Sequence, residues 1–418
     1  MRSIDPHGDC TNEPFSRNSC RERNLLISIV GATIVWSIGL LLVNTLPLIF
    51  QVIEGRSKVN ESALGALGAL FVLGTALIIS SGPLWIERAN WRWVSIGGLI
   101  AASAAVIAAM LASDFTVLAF CFFVMGVSAG VVQTPAFAVL GNSRDPVRAF
   151  SIALFVSMLL PAILSIGVPA KLIVSDGGLN LLGVIAVIFV VAVPFAWVLP
   201  GKHRKSVTDI STGVLPASPL IGAKIRLRDY GAATAAPIVA SVAGGLFTGV
   251  IMAIYAFVGS IAVANGISPE VTGTLLGLGL IGALGGALLP AVVEKWIKPT
   301  SGIGIAVVAL ILAYPALLSN SPKVFTTAFV FHCVFATAGF AYFLAMVRSI
   351  DPTHRIYVGY PAVKSAGIAG ATVAAGALLT NFNPATLFIF AGSCLIASWL
   401  LWLFALRLSA RFPGNNLR

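Results

Sequence analysis

Acidic residues are scarce, and none lies deep in an apolar run. The 15 Asp and Glu among 418 residues fall in the terminal tails, the short connections and the ends of the runs. That excludes a buried carboxylate as the anchor for a cationic ligand, and a carboxylate relay through the interior. Cysteine supplies no framework either. Cys10 and Cys20 lie in the polar N-terminal tail, Cys121, Cys333 and Cys394 lie within apolar runs, and no C-x-x-C or Cys/His ligand spacing occurs. A disulfide scaffold and a structural metal site are thereby excluded, and no cofactor is expected. Histidine is limited to His7, His203, His332 and His354, none adjacent to another, so the clustered nucleophiles or His/Asp pairs of a membrane enzyme are missing. A substantial soluble domain, as a receptor would carry, is missing too. The first 24 residues are polar and mixed in charge, without the apolar centre of a cleavable signal peptide.

What is present is apolar length. The chain is 58% hydrophobic and 10% charged, with mean hydropathy +0.97. Soluble chains carry roughly 25% charged residues, so this one is composed for a lipid environment. Twelve runs have the length of a membrane helix, at about 25–50, 63–86, 94–112, 116–140, 149–172, 179–199, 232–262, 271–293, 301–319, 324–347, 356–379 and 385–406. The expected fold class is an all-α polytopic membrane protein of twelve transmembrane helices in two pseudo-symmetric six-helix halves. A tail (1–24), a first half (25–199), a linker (200–231), a second half (232–406) and a C-terminal tail (407–418) follow in order. The net charge of +11 resides in the connections, and it sets topology rather than binding nucleic acid. Of 26 Lys and Arg, 21 fall on the side of the tails, the linker and the even-numbered loops. Both termini are therefore expected in the cytoplasm, with the protein in a bacterial inner membrane as a monomer. Asn60-Glu61-Ser62 formally matches a glycosylation sequon, but it abuts span 2 and is read as chance.

Two polar signals repeat at one offset. Pro83-Leu-Trp-Ile-Glu87-Arg88, followed by Arg92, returns 207 positions on as Pro290-Ala-Val-Val-Glu294-Lys295, followed by Lys298. Ser143-Arg144-Asp145-Pro146 returns 206 positions on as Ser349-Ile350-Asp351-Pro352. A common offset of half the chain indicates a duplicated module. Six spans plus six, a basic central linker and charged collars after spans 2 and 8 resemble the major facilitator superfamily. Its loop between spans 2 and 3 reads Gly-x-Leu-x-Asp-Arg-x-Gly-Arg-Arg. Here Gly82-Pro-Leu84-Trp-Ile-Glu87-Arg88-Ala-Asn90-Trp-Arg92 carries Glu for Asp, one inserted residue, and Asn90 in place of Gly. The marks of the drug–proton antiporters, sugar porters and nitrate carriers are absent. The resemblance implies alternating access with a small-molecule substrate, coupled to a proton or an exchanged anion. It also implies that Glu87 faces the start of span 11 beside Arg348 and Arg355. By pseudo-symmetry Glu294 faces the start of span 5, beside Arg144 and Arg148. The gating set is then Glu87, Arg88, Arg92, Glu294, Lys295, Lys298, Asp145, Arg148, Asp351, Arg348 and Arg355.

One charge stands inside a span. Lys364 is nine residues into span 11, roughly 13 Å from the helix start at 1.5 Å per residue. Placing a lysine there costs about 2.5–3.5 kcal/mol, so a functional role is its default reading. Tyr357, Tyr360, Lys364 and Gly367 share a helical face. With no acid in the spans, a substrate carboxylate would supply the counter-ion. Oxalate–formate exchangers of the same superfamily are similar in placing a lysine in span 11, although their span 8 arginine has no counterpart here. Alternatively Lys364 carries a proton, or lines a wet cavity. His332 can shuttle protons or simply bond to a neighbour. Gln133, beside Pro135, can bond a ligand or backbone carbonyls. Trp36 and Asn44 in span 1 and Tyr255 in span 7 complete the substrate-binding candidates, since spans 1, 4, 7 and 10 line the cavity in the resembled architecture. The expected activity is transport of an organic anion or carboxylate; the alternative is export of neutral or hydrophobic metabolites or drugs.

Overall fold

The computed structural model describes residues 14–57, 59–86, 88–112, 114–141, 146–167, 179–201, 235–293, 296–350 and 355–409. The linker beyond Gly201, most of both tails, Glu87, Asp145, Glu294, Lys295 and Asp351 lie outside them, as do the side chains of Arg148, Arg348, Arg355 and Tyr357. Among the described residues the regular elements are all helices. Nine of these helices, among the described residues, are long and apolar enough to cross a membrane, and three shorter apolar helices (Ile27–Gly39, Ile152–Ile166 and Leu181–Trp197) stand where spans 1, 5 and 6 are expected.

Span 1 is built from α1 (Pro14–Gly39), α2 (Leu41–Asn44) and α3 (Leu46–Ser57). Pro47 explains the interruption: it has no N–H to give to the carbonyl four residues back, and its ring crowds that turn. Spans 2 to 6 are α4 (Glu61–Trp85), α5 (Trp91–Leu111), α6 (Phe115–Gly141), α7 (Pro146–Gly167), and α8 (Leu179–Val191) with α9 (Val193–Trp197). Span 7 is interrupted like span 1, with α10 (Ala235–Ala256) and α11 (Val258–Ala264) meeting at Phe257. The two joints share a backbone shape, φ −101° and ψ 3° at Thr45 against φ −101° and ψ 10° at Phe257. Spans 8 to 12 are α12 (Pro269–Val293), α13 (Pro299–Ala313) with a 3-10 turn at Pro315–Leu318, α14 (Pro322–Ile350), α15 (Arg355–Asn381) and α16 (Pro384–Ser409).

Successive spans run in opposite directions. The bundle therefore has an end near the two termini and a distal end, where α3 finishes and α4 begins. The first six spans pack largely on one another, as do the last six; α4 against α15 and α7 against α12 join the two sets. Near the terminal end, the Trp91 indole N–H donates to the Ile86 carbonyl at 2.8 Å, and Arg92 Nε donates to the Leu199 carbonyl at 2.5 Å. These bonds satisfy carbonyls at the ends of spans 2 and 6 that no helical partner reaches. Asn60 of the formal sequon N-caps α4, its Oδ1 accepting from the Ala63 N–H at 3.0 Å.

Candidate functional site

Span 1 approaches span 4 closely, and the polar side chains at the crossing act on backbone. A Cβ on Gly39 would stand 2.7 Å from Gln133 Cγ, so glycine lets the helices meet. The Gln133 amide then donates to the Gly39 carbonyl at 3.0 Å, beside the first interruption of the span. Its acceptor belongs to span 1, not to the turn that Pro135 disturbs. Asn44, just before the Thr45 joint, donates from Nδ2 to the Ser157 carbonyl of α7 at 3.1 Å. The Asn44 carbonyl accepts from the Tyr255 hydroxyl of α10 at 2.6 Å. Where lipid replaces water, carbonyls near a distorted turn must find donors within the protein. Gln133 and Tyr255 meet that need on span 1, and Asn44 meets it on α7, where Pro161 has no N–H to give the Ser157 carbonyl. Trp36 packs partly buried against the same core.

The second cluster belongs to spans 7, 10 and 11. Lys364 of α15 lies deep among the helices yet keeps accessible surface, as a residue lining an internal cavity would. Its Nζ stands 5.4 Å from the centre of the Phe340 ring of α14, within the range of a cation–π contact. Among the described residues no carboxylate pairs with it. One turn toward the terminal end, Tyr360 is buried against Gly244 of α10, where a Cβ would meet its hydroxyl at 2.8 Å. His332 is almost completely buried and stacks on Phe329 at 6.2 Å, with Tyr314 6.1 Å away. Its ring lies against the Ile251 carbonyl without the alignment of a hydrogen bond. Phe329 in turn stacks on Tyr255 at 6.2 Å, so His332 and Tyr255 flank one ring.

Of the collar residues, Arg92 holds Leu199 as described, while Arg88 and Lys298 are exposed. Glu87, Glu294, Lys295, Asp145, Asp351 and the side chains of Arg148, Arg348, Arg355 and Tyr357 fall outside the described residues.

The structure adds a group that the sequence had presented only as loop charges. At the distal end, Glu54 of α3 accepts from the Ser260 hydroxyl of α11 at 3.4 Å. The Ser62 N–H of α4 donates to Thr380 Oγ1 of α15 at 2.8 Å, with Glu61 Oε2 3.5 Å from the same oxygen. A Cβ on Gly65 would stand 2.7 Å from the Thr372 carbonyl, and one on Gly273 2.8 Å from the Ser165 carbonyl. These contacts join the first six spans to the last six, and all lie toward the distal end. Glu54 and Glu61 flank the loop between spans 1 and 2, and that flanking position was the one hint available beforehand. A surface groove of about 730 Å3 between α13 and α16, lined by Ile305, Leu312 and Trp399, faces outward and holds none of the candidate residues.

The order of helices, the paired joints in spans 1 and 7 and the central lysine define a polytopic helical bundle of a known architecture. The chain has the fold of the major facilitator transporters. It superposes on a variant of the nucleoside transporter NupG with TM-score 0.68, at 12% identity, over 90% of this chain and 99% of that one. It is likewise similar to a proton-dependent oligopeptide transporter, with TM-score 0.67 at 14% identity, over 94% of this chain and 100% of that one. A third similar structure is a bacterial homologue of the human lysosomal transporter Spinster, inward-facing and unoccupied. There the TM-score is 0.61 at 13% identity, over 95% of this chain and 97% of that one. No protein-family model matches the chain. No curated protein matches it in sequence.

Proposed function

We propose that the chain is a secondary transporter that moves a small organic anion, a carboxylate for preference, across the membrane by alternating access. The observation that carries this is Lys364: a cation deep in the bundle, with accessible surface and an aromatic face as its described neighbour. An ammonium in that setting attracts a substrate carboxylate strongly, because the surrounding dielectric is low. The two sets of six spans would rock about this level, and the 200–231 segment would connect them. The terminal end is assigned to the cytoplasm on the charge asymmetry of the loops. The distal contacts then describe an arrangement closed toward the outside. The collar acids Glu87 and Glu294 remain the proposed holding points for the opposite state.

Transport of each member of a mono- and dicarboxylate panel into proteoliposomes tests the reading, with Lys364→Ala and Lys364→Arg alongside wild type. An accepted carboxylate should lose transport in Lys364→Ala and retain a fraction of it in Lys364→Arg. Equal transport by Lys364→Ala removes the anchor role. The engagement of Gln133, Asn44 and Tyr255 with backbone favours a second reading, export of neutral or hydrophobic solutes, since it leaves fewer polar groups for a ligand. Competition by uncharged compounds and not by carboxylates would select it.

A further inference from the structure

The distal closure contains two carboxylates and no matching cation among the described residues. Glu54 lies in the last turn of α3, four residues past the end of the apolar run 25–50, half-buried, with its carboxylate against the Ser260 hydroxyl of span 7. α6, which meets α3 where Phe122 packs on Phe50, contributes Cys121. α4 contributes Glu61, α10 contributes Tyr255, whose hydroxyl is committed to the Asn44 carbonyl, and α2 and α11 contribute no ionisable side chain. On α3 itself, the Arg56 guanidinium donates to the Met110 carbonyl of α5. Lys58 follows α3 and lies outside the described residues.

Burial raises the pKa of Glu54 above its ordinary value of 4.5, the Glu61 charge adds to the rise, and the Ser260 bond opposes it. Burial and the Ser260 contact both belong to the closed arrangement. When spans 1 and 7 part, water reaches the carboxylate and the ordinary value returns. The closed state therefore binds the proton more tightly than the open one. Its advantage is complete below the ordinary value and is lost as pH rises through the raised value.

We propose that Glu54 is a proton-binding site of the distal closure: its carboxylate takes up a proton from the medium on that side as spans 1 and 7 come together, and returns it there as they part. The proton forms an O–H bond on the carboxylate, and the neutral acid keeps its contact with the Ser260 oxygen. Glu54 lies at the distal end, so the proton it takes up and returns there reports distal acidity. The inference rests on the alternating-access reading but not on Lys364 or on any substrate.

The test is a distance measurement between spin labels at Asp114→Cys and Asn320→Cys, in full-length protein with the five native cysteines replaced, reconstituted in nanodiscs. In wild type the closed population should grow as pH falls through the raised pKa and level off below the ordinary 4.5, by roughly tenfold in the closed-to-open ratio per unit of difference between the two states' pKa values. Glu54→Gln should remain closed across the series. Glu61→Gln should keep the pH response with its midpoint moved to lower pH, because the repelling charge is gone. Wild-type distances that ignore pH, or a Glu54→Gln protein that keeps the full response, overturn the proposal. So does a closure that follows sodium concentration at fixed pH. Loss of carboxylate transport in Lys364→Ala would not move any of these readings, so the two proposals fail separately.

Discussion

The Tyr255 hydroxyl donates to the Asn44 carbonyl at 2.6 Å, joining span 7 to span 1 just before the joint at Thr45. The bond links the last turns of two segments that each precede an interruption. It therefore couples the angle of one joint to that of the other.

Tyr255→Phe keeps the ring on Phe329 and removes only the donor. Interhelical hydrogen bonds in membrane proteins average about 0.6 kcal/mol, so the loss in thermal stability should be small. The conformational effect should be larger than the stability effect, because the bond crosses between the moving sets. The variant should label faster than wild type with a membrane-impermeant maleimide at a distal cysteine. Unchanged labelling would place Tyr255 in packing alone.

Gln133 is tested by separating stability from affinity. Its amide serves the Gly39 carbonyl at 3.0 Å. Gln133→Leu should lower the apparent melting temperature, consistent with about 1–3 kcal/mol for a buried acceptor left without a partner. It should leave the KM of an accepted substrate within about twofold, since a difference of 1.4 kcal/mol would be tenfold. A raised KM with unchanged stability would assign the side chain to the ligand instead.

Much of the architecture was legible because its signals are local. Apolar length reported the spans, whereas the break in the first helix beside Pro47 was not read from the sequence. The partners of the polar residues were not legible. Asn44, Gln133 and Tyr255 announce donors, but their acceptors at Ser157, Gly39 and Asn44 are set by helix crossings between residues more than ninety positions apart. The Glu54–Ser260 and Ser62–Thr380 contacts are more remote still, joining residues 206 and 318 positions apart. The charge of Lys364 and its depth in span 11 are local features, whereas the ring of Phe340 beside it emerges only from packing.

Phe340 offers the next test. Its π face is the described neighbour of the Lys364 ammonium, which stands 5.4 Å from the ring centre. A substrate carboxylate has to compete with that contact, which is worth about 0.5–2 kcal/mol depending on solvation. Phe340→Leu removes the competitor while keeping an apolar side chain of similar bulk. It should tighten binding of an accepted carboxylate by about twofold or more, the lower end of that range, as read by titration calorimetry. Weaker binding would mean that the ring contacts the substrate directly.

The distal crossing of spans 2 and 11 gives the sharpest steric prediction. A Cβ on Gly65 would stand 2.7 Å from the Thr372 carbonyl, and the nearest further atoms, at Gly376 Cα and Val373 Cα, are also backbone. Backbone cannot swing aside as the end of a flexible side chain can, so a larger residue must separate the helices or strain them. Overpacking of this kind costs about 1–3 kcal/mol. The cost is relieved in any state in which α4 and α15 have parted at the distal end. Gly65→Val should therefore shift the closed-to-open ratio by about 5–150-fold toward the open arrangement. Gly97 is the control: it lies on α5, and a Cβ there meets nothing within 4 Å. Gly97→Val should leave the spin-label distances at Asp114→Cys and Asn320→Cys unchanged, while Gly65→Val lengthens them. If Gly65→Val retained the closed distance with an unchanged melting temperature, the crossing would have room that the backbone positions do not leave it, and the distal contacts would not be what holds this side shut.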